Sequence, residues 1–160
     1  MDDSIRQDTQ TWLGLVRASC TRLCSLANVS LHKAGLNIPQ YNALSIISEK
    51  QEVTMSVLSR GLGVTMGAGT NLMDRVVDAG LVERRRSGTD RRVVKVALTA
   101  KGKESLVQAT AHLTEFWTGI LSQVDPADRS KFLQTYRRIF DVAEKCDVRK
   151  RPGPGPCPER

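Results

Sequence analysis

Aromatic residues are scarce in this chain: tryptophan, tyrosine and phenylalanine together make up 4% of its 160 residues. Proteins that bind single-stranded nucleic acid stack the bases on exposed rings, so a stacking platform is not expected. Long apolar runs are also absent, and the N-terminus carries two aspartates. A secretory signal or a membrane span requires a continuous apolar segment. We therefore expect a cytoplasmic protein that has no membrane partner.

Sequence motifs of catalysis are missing as well. The chain contains no nucleophile motif, P-loop or zinc-protease pattern. Its two histidines, His32 and His112, stand singly, without a paired carboxylate or a second ligand nearby. We therefore predict that the chain is not an enzyme.

Positive charge is present, and it is concentrated in one segment. The formal net charge is +7, and residues 66–103 hold nine lysines and arginines against four acidic residues. A moderate surplus can serve solubility alone, but this clustering favours a polyanionic partner. Because aromatic rings are few, double-stranded DNA is the expected partner.

Capping signals predict two short helices near the middle of the chain. Thr54 or Ser56 begins the first, which ends at Gly63, and Thr65 begins the second, which covers 66–79. Two short helices joined by a tight glycine-containing turn form a helix-turn-helix. The second helix of that motif lies in the major groove of DNA.

This second helix is the expected recognition helix. Leu72, Val76 and Val77 are predicted to face the core. The candidate DNA contacts at its start and on its outward side are Thr65, Gly67, Thr70, Asn71 and Arg75. Asparagine can pair with adenine, threonine can contact a thymine methyl group, and arginine can reach guanine or phosphate.

A β-hairpin is predicted directly after the recognition helix. The β-rich runs 81–86 and 93–98 flank a polar turn that contains glycine. Arg86, Arg91 and Arg92 are candidate DNA contacts of this wing, because a narrow minor groove attracts guanidinium groups. The alternative is a solvated, charged hairpin that has no role in binding.

Amphipathic helices are predicted on both sides of this module. One covers 4–34, Asn37 and Pro39 begin another, and two more lie within 99–147. Trp12, Trp117 and Tyr136 are most simply core residues. Residues 148–160 are rich in proline and glycine, which predicts a flexible tail.

Several different motifs occur in order along the chain. They are Gly35-Leu36-Asn37-Ile38-Pro39-Gln40-Tyr41, Leu58-Ser59-Arg60-Gly61-Leu62-Gly63-Val64-Thr65, Asp74-Arg75 with Gly80-Leu81-Val82, Asp90-Arg91-Arg92, and Leu98-Thr99-Ala100-Lys101-Gly102. Together they resemble the multiple antibiotic resistance regulator (MarR) family of bacterial transcription factors. The resemblance implies a homodimeric regulator, more often a repressor than an activator. Such regulators bind pseudo-palindromic operators and are released by a small ligand or an oxidant.

The resemblance also implies a division of the chain and roles for the wing. The expected fold is mainly α with a small β-hairpin wing: a winged helix-turn-helix over 36–98, flanked by dimerisation helices in 1–35 and 99–147. Arg91 or Arg92 would enter the minor groove, while Asp90 would shape the wing by pairing with an arginine. The competing interpretation is a winged helix that packs the nucleoid or binds protein, without a regulated operator.

All four cysteines lie outside the predicted DNA-binding module: Cys20, Cys24, Cys146 and Cys157. Cys20 and Cys24 are one helical turn apart, about 5–6 Å between Cβ atoms, which is longer than the roughly 3.5–4.5 Å of a disulfide. Zinc or an iron–sulfur cluster can bridge that distance. The alternatives are a disulfide between either residue and Cys146 of the same or the other subunit, which would act as a peroxide switch, and simple packing. Cys20 is placed like the sensing thiol of the family's hydroperoxide-responsive branch.

Overall fold

The computed structural model describes residues 3–86 and 94–145. Its helices are α1 (Asp3–His32), α2 (Ile38–Lys50), α3 (Met55–Leu62), α4 (Met66–Asp78), α5 (Ala100–Leu121) and α6 (Pro126–Lys145). Its strands are β1 (Glu52–Thr54), β2 (Val82–Arg86) and β3 (Val94–Leu98). The predicted fold class, mainly α with a small β wing, is confirmed. Within the described ranges, no helix combines the length and apolar composition needed to cross a bilayer.

The strands form one antiparallel sheet in the order β1-β3-β2. Val96 lies at its centre, opposite Val53 of β1 and Arg84 of β2. The predicted hairpin is therefore confirmed along its two strands. The segment 87–93, which joins these strands, is outside the described residues.

Side-chain caps set the start of α2, as predicted. The Asn37 side-chain oxygen accepts a hydrogen bond from the Gln40 backbone N–H (3.0 Å), and the Gln40 side chain accepts one from the Asn37 N–H (3.0 Å). This reciprocal pair satisfies donors that a helix N-terminus leaves open. The Asn28 side chain of α1 also accepts from the Ile38 N–H at 2.9 Å, which ties the two helices together.

The core joins the end of α1 to the helix-turn-helix and the sheet. Its largest fully buried side chains are Leu31, Leu36, Leu44, Ile47, Leu58, Met73, Val76 and Val96. Burying an aliphatic side chain of this size contributes about 1.5–3 kcal/mol relative to exposure. On α4, Val76 is fully buried, and Leu72 and Val77 are half-buried and pack against the same core, so the predicted inward side is confirmed. Met73, which the sequence pattern did not single out, is fully buried on the same side.

The chain forms two compact units, Met1–Phe116 and Trp117–Arg160. The prediction that Trp12 and Tyr136 are core residues is wrong, because both side chains are exposed, and Trp117 is half-buried. These side chains are exposed because no described element of the same unit packs against the apolar side of α1, except near its end, or of the described α6. The role of these helices in dimerisation stays a prediction.

Two glycines of α4 differ sharply in their surroundings. A Cβ atom on Gly69 would overlap the Ser59 hydroxyl and lie 3.2 Å from Ser59 Cβ, so α3 and α4 approach closely at this point. The Ser59 hydroxyl is buried and has no hydrogen-bond partner among the described residues. A Cβ atom on Gly67 would meet nothing within 4 Å. Packing therefore requires glycine at 69 but not at 67.

This contrast predicts opposite effects of the same substitution at positions two residues apart. Gly67→Ala should raise the free energy of unfolding by up to about 1 kcal/mol, because alanine favours the helix. Gly69→Ala should lower it by about 1–3 kcal/mol, because the added methyl group overpacks the α3–α4 contact. Urea denaturation followed by circular dichroism measures both. Equal effects of the two substitutions would contradict the described packing.

Candidate nucleic-acid interface

The turn between α3 and α4 places the second helix. Gly63 has φ +67° in the left-handed region that glycine favours, and its N–H donates to the Arg60 carbonyl at 3.1 Å. Two residues later the Thr65 side chain accepts from the Ala68 N–H at 3.3 Å and caps α4. Local chemistry thus produces the predicted helix-turn-helix, with α4 beginning at Met66.

The predicted contacts at the start of α4 and along it are all exposed: Thr65, Gly67, Thr70, Asn71 and Arg75. Their accessibility follows from the burial of Gly69, Met73 and Val76 on the opposite side of the helix. The structure therefore brings these five residues to the solvent side of one short helix. Contact with DNA is a separate matter and stays a prediction.

An ion pair connects the recognition helix to the base of the wing. The Arg84 guanidinium on β2 donates to the Asp74 carboxylate on α4. Both side chains are nearly half-exposed, so the pair contributes little stability, about 0–1 kcal/mol. The pair joins the strand β2 to the helix α4. Sequence reasoning missed this pair because nothing in the local pattern links residues ten positions apart in different elements.

Other charged side chains lie on or near α4, and some of them form ion pairs, whereas Arg75 forms none with a described residue. Arg85 pairs with Glu83 on the same strand, and Lys95 lies 3.5 Å from Glu52 across β1 and β3. Arg75 is exposed and forms no ion pair with any residue that the structure describes. Its guanidinium therefore remains available for an anionic partner.

The first turn of α5 is joined to the end of α4. The Thr99 hydroxyl donates to the Gly80 carbonyl (2.8 Å) and accepts from the Gly102 N–H (3.0 Å). The Lys101 ammonium donates to the Ala79 carbonyl at 2.8 Å. A cation at the C-terminal carbonyls of a helix is also favoured by the helix dipole. We call this set of contacts the α4–α5 junction.

Gly102 makes the α4–α5 junction possible. A Cβ atom there would lie 2.9 Å from the Leu81 carbonyl carbon and closer still to its oxygen. Only a residue without a side chain lets α5 approach the backbone so closely. The segment Leu98-Thr99-Ala100-Lys101-Gly102, which contributes to the family resemblance, therefore also has a packing role.

Comparison with known proteins places this chain in a family. A model of the MarR family matches residues 34–93. The chain is also 33% identical over 129 residues to the transcriptional repressor MprA of Escherichia coli (strain K12), an alignment covering 79% of this chain and 73% of that protein. The chain belongs to the MarR family.

Two further members of the MarR family are informative. The organic hydroperoxide resistance transcriptional regulator of Bacillus subtilis (strain 168) is 31% identical over 88 residues, which is 55% of this chain. The alignment spans 60% of that relative's length. The crystal structure of a mutant MarR from E. coli complexed with operator DNA aligns with a TM-score of 0.69 at 23% identity, covering 78% of this chain and 90% of that one. That likeness confirms the fold.

Some of the predicted site residues lie outside the described part of this MarR-family chain. They are Asp90, Arg91, Arg92, Cys146 and Cys157. Arg86 is the last residue of β2. Cys20 and Cys24 are free and exposed on α1, and the described residues contain no group of three or more potential metal ligands. Metal or redox chemistry at the cysteines thus stays a prediction.

The α4–α5 junction predicts a specific loss of stability. Thr99→Val keeps the shape of the side chain but removes the hydroxyl that bonds both Gly80 and Gly102, so the free energy of unfolding should fall by about 1–2 kcal/mol. Thr114→Val is the matched control, because among the described residues its hydroxyl bonds only to the Thr110 carbonyl one turn back (2.8 Å). Urea denaturation should find that control near wild type. A loss of the same size in both variants would argue against a junction.

Proposed function

We propose that this MarR-family chain is a transcriptional regulator, acting as a repressor, that binds a pseudo-palindromic DNA operator as a homodimer. The observation that carries the proposal is the exposed outward side of α4, held beside the wing strand by Asp74 and Arg84. A helix with its side chains is about 10–12 Å wide and fits the major groove, which is about 12 Å wide.

The chemistry of the exposed residues suits this partner. Asn71 carries an amide that can pair with adenine, and Arg75 carries a guanidinium that can reach guanine or phosphate. Arg75 forms no competing ion pair with a described residue. The wing arginines Arg91 and Arg92 supply the proposed minor-groove contact.

Relatives support both operator DNA as the partner and repression as the direction of regulation. The solved structure of the mutant MarR is a complex with operator DNA, and MprA is named a transcriptional repressor. The same binding mode is proposed for this chain, with α4 in the major groove.

Exposed apolar side chains support a homodimer. Two helices, α1 and α6, carry large hydrophobic residues in solvent, among them Ile5, Trp12, Leu13, Leu15, Phe132, Leu133, Tyr136, Ile139 and Phe140. Burying such surface against a second copy is favourable in proportion to its area. A symmetric dimer would present two recognition helices, which must match half-sites about 34–36 Å apart.

Regulated release completes the proposal. A small ligand, a metal or cluster, or oxidation of a cysteine would shift the dimer toward a conformation in which the two α4 helices no longer match the half-sites. The exposed thiols of Cys20 and Cys24 support a cysteine signal. A related regulator from B. subtilis is named for organic hydroperoxide resistance, which supports an oxidant as that signal.

The wing assignment is tested by charge removal. Replacing Arg91 and Arg92 together with alanine should weaken operator binding and flatten its salt dependence. The slope of log affinity against log salt should fall by about 0.9 for each phosphate charge no longer neutralised. Fluorescence anisotropy across a salt series measures the slope. Arg6→Ala, an exposed arginine of α1, should leave it unchanged, and an unchanged slope in the double variant would contradict the wing contact.

Footprinting separates regulation from the competing class. A regulator should protect one palindromic site within a longer duplex, while a nucleoid-packing protein should cover the duplex uniformly. Absence of any protection would favour a protein-binding winged helix.

The cysteine signal has its own test. In the oxidant version, a thiolate attacks the peroxide O–O bond and takes one oxygen, which leaves a sulfenic acid and water or an alcohol. Hydrogen peroxide should then lower operator affinity of the wild type, and Cys20→Ser or Cys24→Ser should abolish that response without changing the affinity of reduced protein. In the metal version, anaerobically purified protein should be brown or contain zinc by elemental analysis. Metal-free protein with peroxide-insensitive affinity would exclude both.

A further inference from the structure

Apolar side chains are exposed at the start of the recognition helix. Val64, in the turn before α4, is 41% exposed, and Met66, its first residue, is 52% exposed. Ala68 is exposed as well. These three residues are called the apolar start of α4. Residues 64–73 include no charged side chain.

The two threonines in this region direct their hydroxyls at their own helix. The Thr65 hydroxyl oxygen accepts from the Ala68 N–H at 3.3 Å, and the Thr70 hydroxyl donates to the Met66 carbonyl at 2.9 Å. Both side chains are exposed. With these hydroxyl bonds made internally, the methyl groups of the threonines add to the apolar character of the helix start.

Gly67 lies among these residues, and the packing of the chain does not require a glycine at this position. It is exposed, and a Cβ atom there would meet nothing within 4 Å. Alanine would stabilise the helix at this position. A missing side chain on the outward side allows the helix backbone to approach a partner closely.

Among the base edges of the major groove, the thymine C5-methyl is the apolar group. Guanine presents two acceptors instead, which an arginine or lysine recognises. The helix start offers no such cation, since the nearest basic residue along α4 is Arg75. By helical spacing, Met66 lies one turn before Thr70, and Ala68 lies one turn before Asn71 and two turns before Arg75.

We propose that Val64, Met66 and Ala68, with the methyl groups of Thr65 and Thr70, recognise thymine methyl groups in the major groove, and that Gly67 gives the helix room to approach them. This inference rests on the proposed operator binding. It adds one base feature to the proposed contacts of Asn71 and Arg75: thymine, recognised by its methyl group.

The test uses a duplex selected by the full-length protein from a randomised DNA library. The selected sequence is then resynthesised with deoxyuridine replacing thymidine at single positions, which removes the C5-methyl and keeps base pairing. At contacted positions, affinity should fall about fourfold for each methyl group lost. Symmetric replacement in both half-sites should therefore give about a sixteenfold loss.

Variants assign that loss to the named side chains. Met66→Ala and Val64→Ala should bind the thymine duplex more weakly, and deoxyuridine should weaken their binding by less than about twofold. Val124→Ala is the matched control, because Val124 is 39% exposed and lies outside the helix-turn-helix. It should keep the full wild-type response. Gly67→Ala should reduce affinity for the thymine duplex while raising the thermal midpoint, a combination that loss of folding cannot produce.

The outcomes separate this inference from the function on which it rests. If the library yields no preferred sequence, operator binding itself fails. If a preferred duplex is bound equally well with thymidine and deoxyuridine, operator binding stands and methyl recognition is overturned. Wild-type affinity of the Met66→Ala and Val64→Ala variants would likewise overturn it and assign the apolar start of α4 to a protein contact.

Discussion

The winged helix-turn-helix depends on one crowded junction, where α4 ends, β2 begins and α5 starts. Three successive backbone carbonyls, those of Ala79, Gly80 and Leu81, accept hydrogen bonds from the segment that opens α5. The absence of a side chain at Gly102 is what allows this approach. Since α4 carries the proposed base contacts and α5 belongs to the proposed dimer helices, a movement of α5 cannot leave the end of α4 in place. The proposed regulation could therefore reach the proposed recognition helix through these backbone contacts.

The recognition helix combines firm packing with weak helix propensity. Two glycines in its first turn disfavour the helix, yet the cost at Gly69 is offset by close packing on Ser59 and by the core side chains Met73 and Val76. Gly67 has no such compensation in the described structure. The helix is thus stabilised by packing on its buried side, and the described packing places no constraint on the residues of its outward side.

The described chain leaves much of its apolar surface uncovered. Side chains such as Trp12 on α1 and Tyr136 on α6 are exposed where a single-chain protein would bury them. This is the opposite of the winged-helix core, whose central side chains are fully buried. The winged-helix core is thus complete within one chain, whereas α1 and α6 expose the apolar surface that the proposed homodimer would cover.

Local signals in the sequence determined where the elements begin and end. Asn37 and Thr65 cap helices as predicted, and Thr54 is the cap of α3 out of the two predicted candidates, Thr54 and Ser56. These caps are predictable because a capping side chain acts within three residues of its own position. The outward side of α4 was also predictable, since a helix repeats its environment every three or four residues. Most of the fold, and the accessible residues of the candidate site, followed from such short-range rules.

Tertiary structure alone decided which distant residues meet: the Asp74–Arg84 pair and the Gly102 contact with Leu81 join residues ten or more positions apart. It also decided that Trp12 and Tyr136 are exposed, because burial depends on which elements cover a stripe and not on the stripe itself. The spacing of apolar residues along one helix does not show which other elements pack against it. Contacts between distant residues are therefore determined only when the elements pack together.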